Sequence, residues 1–196
     1  MSKSDITDNK ELIIKLYDSY NGYIISNEDK NTILANGSSP TYGTILLEGV
    51  DKLISELDSY DGVLYDLGSG VGQMVLYSSL QYPFKRCIGV ELSKDRHKIA
   101  MEVKKELGAS VENAEFYNDN ILNIPVTDAT AIYVSSLCFS DSFLAEVANK
   151  LNEELQPGTK VFSSRLISGL NANLDKEDSV QMSWEANSSI KHYTMH

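Results

Sequence analysis

Apolar and polar positions follow two periods along this chain. In "KELIIKLYDSYNGY", Leu12, Ile13, Leu16, Tyr17 and Tyr20 share one helical face, which predicts an amphipathic helix over residues 9–20. "LANGSSPTYG" (34–43) breaks that pattern with Gly, Ser, Asn and Pro and reads as a loop. "ILLEGVDKLISEL" restores the helical period, with Ile45, Leu46, Val50, Leu53, Ile54 and Leu57 inward. From residue 63 short apolar runs alternate with helical stretches. "VLYDL", "RCIGVEL", "AEFYND", "ATAIYVSS" and "TKVFSSRLI" read as five strands. "VGQMVLYSSLQY", "SKDRHKIAMEVKKELG" and "SFLAEVANKLNEEL" read as the helices between them, the second capped by Ser93 and stopped by Gly108. "VQMSWEA" and "IKHYTM" predict two last strands with only a polar turn between them.

Strands alternating with helices predict a parallel sheet covered by helices on both faces. The last pair, lacking a helix, should run antiparallel at one edge. The result is a Rossmann-like α/β fold with seven strands. One domain over residues 1–196 is expected, with residues 1–60 as N-terminal helices and a covering loop, and 61–196 as the core.

The chemistry concentrates after the first strand, in "LYDLGSGVGQ" (64–73). Gly68, Gly70 and Gly72 form a G-x-G-x-G turn that opens a helix. A dinucleotide fingerprint would space its glycines G-x-G-x-x-G, and a phosphate loop would add Gly-Lys-Ser/Thr. Asp66, two residues ahead of the glycines, would repel a pyrophosphate and suits an amine or sulfonium. Glu91 ends the second strand, where an acidic residue accepts from ribose hydroxyls. Asp119 ends the third, within reach of an adenine amino group. An adenosine bearing a cation and no phosphate meets all three demands, and S-adenosylmethionine is such a ligand.

Composition narrows the class. The chain has 196 residues, 42% apolar and 23% charged, as in a folded soluble protein. Its formal net charge of −11 argues against direct nucleic-acid binding, which draws on Lys and Arg at phosphates, and permits a basic partner. No stretch reaches the length of a membrane span, and "MSKSDITDNK" has no apolar signal core. Cys87 and Cys138 both fall in predicted strands and read as reduced packing residues. An intracellular protein is expected, cytoplasmic by default with a nuclear site left open. No metal site is read, and the oligomeric state stays open.

These residues resemble class I methyltransferases, most of all the disruptor-of-telomeric-silencing (Dot1-type) histone lysine methyltransferases that lack a SET domain. "SSPTYG" (38–43) resembles the family's loop over the cofactor, and "DLGSGVGQ" (66–73) its first motif, including Gln73. "GVE" (89–91) resembles its ribose motif. "AIYVSSLCFSD", "GTKVFSSRLI" and "VQMSWEANSSIKHYTMH" resemble its last strands, with a Ser-Trp pair ahead of a Tyr/His-rich strand. The resemblance covers residues 38–196. It departs from the family at Thr44, where an acidic residue is usual, at Asp119-Asn120 in place of Asp-Phe, and at Ser135 and Ser136 in place of two asparagines.

The resemblance implies protein-lysine N-methylation from S-adenosylmethionine on a basic protein substrate. It implies a cofactor set of Tyr42, Gly43, Thr44, Asp66, Gly68, Gly70, Gly72, Gln73, Glu91, Asp119 and Asn120. It implies an acceptor side built from Trp184, Tyr193, Ser136 and Asn120, with Phe139 as a further apolar wall and His192 as an alternative to Tyr193. A polar acceptor wall of Asn120, Ser135 and Ser136 would instead suit a small-molecule N- or O-methyltransferase. A non-catalytic cofactor-binding subunit is the third reading.

Overall fold

The computed structural model describes residues 3–196, with side chains from Asp8 onward; the first two residues of the polar N-terminus lie outside it. Three helices come first: α1 (Lys3–Tyr17), α2 (Asn27–Ala35) and α3 (Leu47–Ile54). Then β1 (Val63–Leu67), α4 (Gln73–Gln81), β2 (Arg86–Val90), α5 (Lys94–Leu107), β3 (Ala114–Tyr117), β4 (Ala131–Val134), α6 (Asp141–Glu154) and β5 (Lys160–Ser163) alternate as expected. The chain closes with β6 (Ala172–Val180) and β7 (Ser188–Met195).

The seven strands form one sheet in the order β3-β2-β1-β4-β5-β7-β6. The first five are parallel, and β7 runs antiparallel to both β5 and β6. Every residue of β1 is buried, which explains why "VLYDL" reads as a continuous apolar run rather than an alternating one. Leu64, Cys87, Tyr133 and Phe162 face a layer containing α3, α4 and part of α5. Tyr65, Ile88, Ile132, Val161 and Tyr193 face α6 on the other side. Strand order reverses between β1 and β4, so a crevice opens above their carboxyl ends.

The structure differs from the sequence expectation in four places. The first helix runs Lys3–Tyr17 rather than 9–20, so Tyr20 lies beyond its end, and Leu12 is exposed rather than on the inward face. The sixth strand is not "VQMSWEA" but the preceding segment, Ala172–Val180. That strand is the sheet edge, and Asp175, Lys176 and Glu177 are exposed along it, so it carries no apolar alternation. Its charges and the register shift between Leu174 and Lys176 guard the edge against further pairing. Helix α2 was not predicted, because Ile33 is its one buried apolar residue. Cys138 lies in a short 3-10 turn after β4, half-buried rather than in a strand core.

Candidate active site

The floor of the crevice is the glycine turn. β1 delivers Asp66 and Leu67, and the chain turns back into α4 within five residues. Gly70 adopts φ +55°, and a Cβ there would come within 2.9 Å of the Tyr42 ring, so the position favours glycine on both counts. Its N–H donates to Glu91 Oε2 at 2.8 Å, and the Ser93 N–H donates to Oε1 at 2.8 Å. Glu91 is thereby fixed at the end of β2. Burial raises its carboxyl, opposed by those two N–H groups and by Arg96.

Asp66 is the contrasting carboxylate. It is 3% exposed, and Oδ1 has no hydrogen-bond partner. Burial, with the Glu91 charge adding, pushes its pKa up to about 8. A buried carboxylate with an unmatched oxygen lining a cavity is a seat for a cation.

That cavity has a volume of about 470 Å³. Nine of the predicted residues line it: Tyr42, Gly43, Thr44, Asp66, Gly68, Gly70, Glu91, Asn120 and Trp184. The loop from α2 to α3 forms its roof. Residues 44–46 pair with 181–183 through Ser183 N–H to Thr44 O (2.8 Å), Thr44 N–H to Ser183 Oγ (3.1 Å) and Leu46 N–H to Gln181 O (2.9 Å). The Ser-Trp segment is thus a strap across the roof rather than a sheet strand. A Cβ at Gly43 would stand 2.1 Å from the Trp184 ring, so glycine is what lets the indole lie there. Trp184 is 48% exposed and stands at the mouth with Leu137, 45% exposed.

Five predicted residues lie elsewhere. Gly72 packs against Phe116 and Ala100 at the start of α4. Gln73 faces a shallow hollow on the far side of Tyr42, with Tyr17, Tyr20 and Tyr23. Asp119 does not line the cavity; its Oδ1 accepts from the Asn120 N–H (2.6 Å) and from Asn123 Nδ2 (2.7 Å), holding a local turn. Ser136 is fully buried, where its Oγ pairs with Ser163 Oγ (2.8 Å) and accepts from Arg165 N–H (2.9 Å). Tyr193 points into the α6 layer, and its hydroxyl accepts from the Ile167 N–H at 3.0 Å. His192 is also buried, edge-on to Phe162 with ring centres 5.0 Å apart.

Asn120 lines the cavity at its β3 end, but its amide is engaged: Nδ2 donates to Asn36 Oδ1 (3.0 Å) and Oδ1 accepts from Leu122 N–H (2.9 Å). Tyr133, Ser135, Cys138 and Phe139 line the β4 side, and Arg96 lines the roof. Arg96 was readable in part. Positions 96, 100, 103 and 107 share one helical face, and the other three are apolar and buried. An arginine on such a face must find partners inside.

The cavity fits S-adenosylmethionine. Glu91 stands where the ribose would lie, Ile121, Phe139 and Phe143 offer an apolar berth, and the unmatched Asp66 oxygen suits a cationic group. No cluster of His, Cys, Asp and Glu able to hold a metal occurs among the described residues.

Comparison with known proteins agrees. A profile of the family described as "Histone methylation protein DOT1" matches residues 20–195. The chain is 25% identical over 150 residues to the histone-lysine N-methyltransferase, H3 lysine-79 specific, of Caenorhabditis elegans, covering 70% of this chain and 16% of that protein. It is 29% identical over 105 residues to a protein-lysine N-methyltransferase of Saccharolobus islandicus, covering 54% of this chain and 63% of that one. The chain therefore spans less than two thirds of either relative. Among solved structures, an RNA methyltransferase from Salinibacter ruber in complex with S-adenosyl-L-homocysteine superposes with a TM-score of 0.59 and 26% identity, over 74% of this chain and 89% of that one. The fold is that of the Rossmann-like class I methyltransferases. With all but the first nineteen residues and the last one inside the family match, this chain belongs to the DOT1 histone methylation family.

Proposed function

We propose that this protein transfers a methyl group from S-adenosylmethionine to the side-chain amine of lysine in a basic protein. The observation that carries it is the pairing of a buried, unmatched Asp66 at the cavity floor with an exposed apolar mouth at Trp184 and Leu137. The cofactor supplies an activated methyl on a sulfonium. The chain's own residues orient it: Asp66 holds the cationic end, Glu91 the ribose, and Tyr42 covers the turn. In-line placement of donor and acceptor supplies much of the rate.

A lysine must be neutral to attack. Its ordinary pKa near 10.4 makes that cost about 4–5 kcal/mol at pH 7. Desolvation in an apolar passage lowers the amine's pKa, and Trp184, Leu137 and Phe139 provide such a passage. The net charge of −11 favours encounter with a basic polypeptide. The S. islandicus relative, named a protein-lysine N-methyltransferase, supports the same acceptor class.

A small-molecule acceptor has less support. Of its polar wall, Ser136 is buried away from the cavity and the Asn120 amide is tied to Asn36. Ser135 lines the cavity beside that engaged amide. Incubation with isotope-labelled cofactor and a panel of basic proteins, followed by peptide mass spectrometry, tests the proposal. Methyl-lysine on a protein is expected; label found only on a small molecule would refute it.

A further inference from the structure

The first turn of α5 meets the N-terminal segment through a set of directed contacts. Arg96 is 6% exposed; its Nε donates to Gly22 O (3.1 Å) and its Nη2 to Pro40 O (2.7 Å). Its Cζ lies 4.9 Å from the centre of the Tyr42 ring. Just ahead of it, Ser93 Oγ and the Asp95 N–H both donate to Asp29 Oδ2, at 2.5 and 2.9 Å. Asp95 Oδ2 accepts in return from the Ser26 N–H at 2.7 Å. The starts of α2 and α5 cap one another, and Asp29 is buried between them. Five residues of 22–42, Gly22, Ser26, Asp29, Pro40 and Tyr42, are thus tied to one helical turn.

This segment brings Ile33, Asn36, Ser38 and Tyr42 to the cavity roof. The same helical start also holds Glu91, through the Ser93 N–H. The grip on the cofactor and the anchor of the roof are consecutive in sequence.

We propose that the N-terminal turn of α5 is the dock for a cofactor lid formed by residues 22–42, and that Arg96 is the positioning residue that sets the lid's closed place. This rests on reading the cavity as the S-adenosylmethionine site. An arginine is needed because its planar fork reaches two carbonyls while lying on an aromatic ring. Lysine keeps the charge but lacks the planar fork that bonds two carbonyls while stacking on the ring. The β1 and β4 strand ends that carry the floor are untouched by the dock, so loosening it affects cofactor capture more than methyl transfer.

The test uses the full chain and the Arg96→Gln, Arg96→Lys and Asp29→Ala variants. S-adenosylmethionine binding is measured by calorimetry, KM and kcat by turnover, and lid order by amide exchange of the cofactor-free protein. Arg96→Gln is expected to weaken cofactor binding and raise its KM about 10- to 100-fold. Its kcat at saturating cofactor should stay within about threefold of the parent. Arg96→Lys should recover only part of the binding. Amides of residues 22–42 should exchange about tenfold faster, with β1 and β4 unchanged. Parental affinity and parental exchange in Arg96→Gln would overturn the proposal, as would a fall in kcat with KM unchanged. If Arg96→Gln does not fold, Asp29→Ala decides, since Asp29 does not line the cavity: faster lid exchange with weaker binding supports the dock, and neither change overturns it. Failure of the parent protein to take up S-adenosylmethionine would refute the reading of the cavity, while lid exchange would still decide the dock.

Discussion

At the cofactor end of the cavity, backbone holds the chemistry: Glu91 is fixed by two N–H groups, and the turn that supplies one of them lies directly after β1. At the proposed acceptor end, the mouth joins segments far apart in sequence: the Trp184 ring lies over the Gly43 backbone, and Leu137 and Phe139 come from the turn after β4. At the first end, one carboxylate, Glu91, is held from both sides by backbone donors. The second depends on the strap at residues 181–183, which pairs with residues 44–46 of the roof. That division suits an enzyme class that keeps one donor and changes acceptors.

The sharpest way to break this division is Asp66→Ala. Removing the buried carboxylate whose Oδ1 has no partner should weaken S-adenosylmethionine binding by at least about 100-fold, read by calorimetry. Next, Trp184→Ala should lower kcat/KM for the protein acceptor about 10- to 100-fold, the range for losing a large aromatic contact, while the cofactor's dissociation constant stays within about threefold. Gly43→Ala should act in the same direction, since its Cβ would collide with the Trp184 ring. Equal loss of cofactor binding in Trp184→Ala would mean that the two ends are one unit.

Acidity separates the ends further. The Asp66 carboxyl, at about 8 against an ordinary 3.8, is largely protonated at pH 7 in the cofactor-free protein. Its contribution to stability is complete below about pH 4 and is lost as pH rises through about 8. The melting temperature of cofactor-free protein should therefore fall between about pH 4 and 8, and fall less in Asp66→Asn. A cation favours the ionised form, so S-adenosylmethionine binding at pH 7 should release protons, visible as a buffer-dependent heat that Asp66→Asn lacks. The smallest expected effect belongs to Tyr193→Phe. It leaves the buried Ile167 N–H without its acceptor, costing about 1–3 kcal/mol in a denaturant titration, and leaves methyl transfer near the parental rate.

The contrast also explains what could be read from the sequence. Asp66, the glycine turn, Glu91 and the Ser93 cap depend on neighbours within a few residues or on strand ends, and local pattern reveals them. Ser136 and Tyr193 were expected at the acceptor and are packing residues, because the direction of a strand-end side chain depends on which layer covers it. The strap reads as a strand because Val180, Met182 and Trp184 alternate, although its partner is the roof loop and not the sheet. The true sixth strand is polar because it is an edge. Asp29 and Arg96 gave weak signals because their partners are more than fifty residues away.

A crystal structure of the protein with S-adenosylmethionine tests the central assignment most directly. The expected result places a cationic group of the cofactor within about 3 Å of Asp66 Oδ1, the ribose on Glu91, and the methyl group facing the opening between Trp184 and Leu137. A cofactor bound in the hollow beside Gln73, or with its methyl group turned toward Asn120, would contradict it.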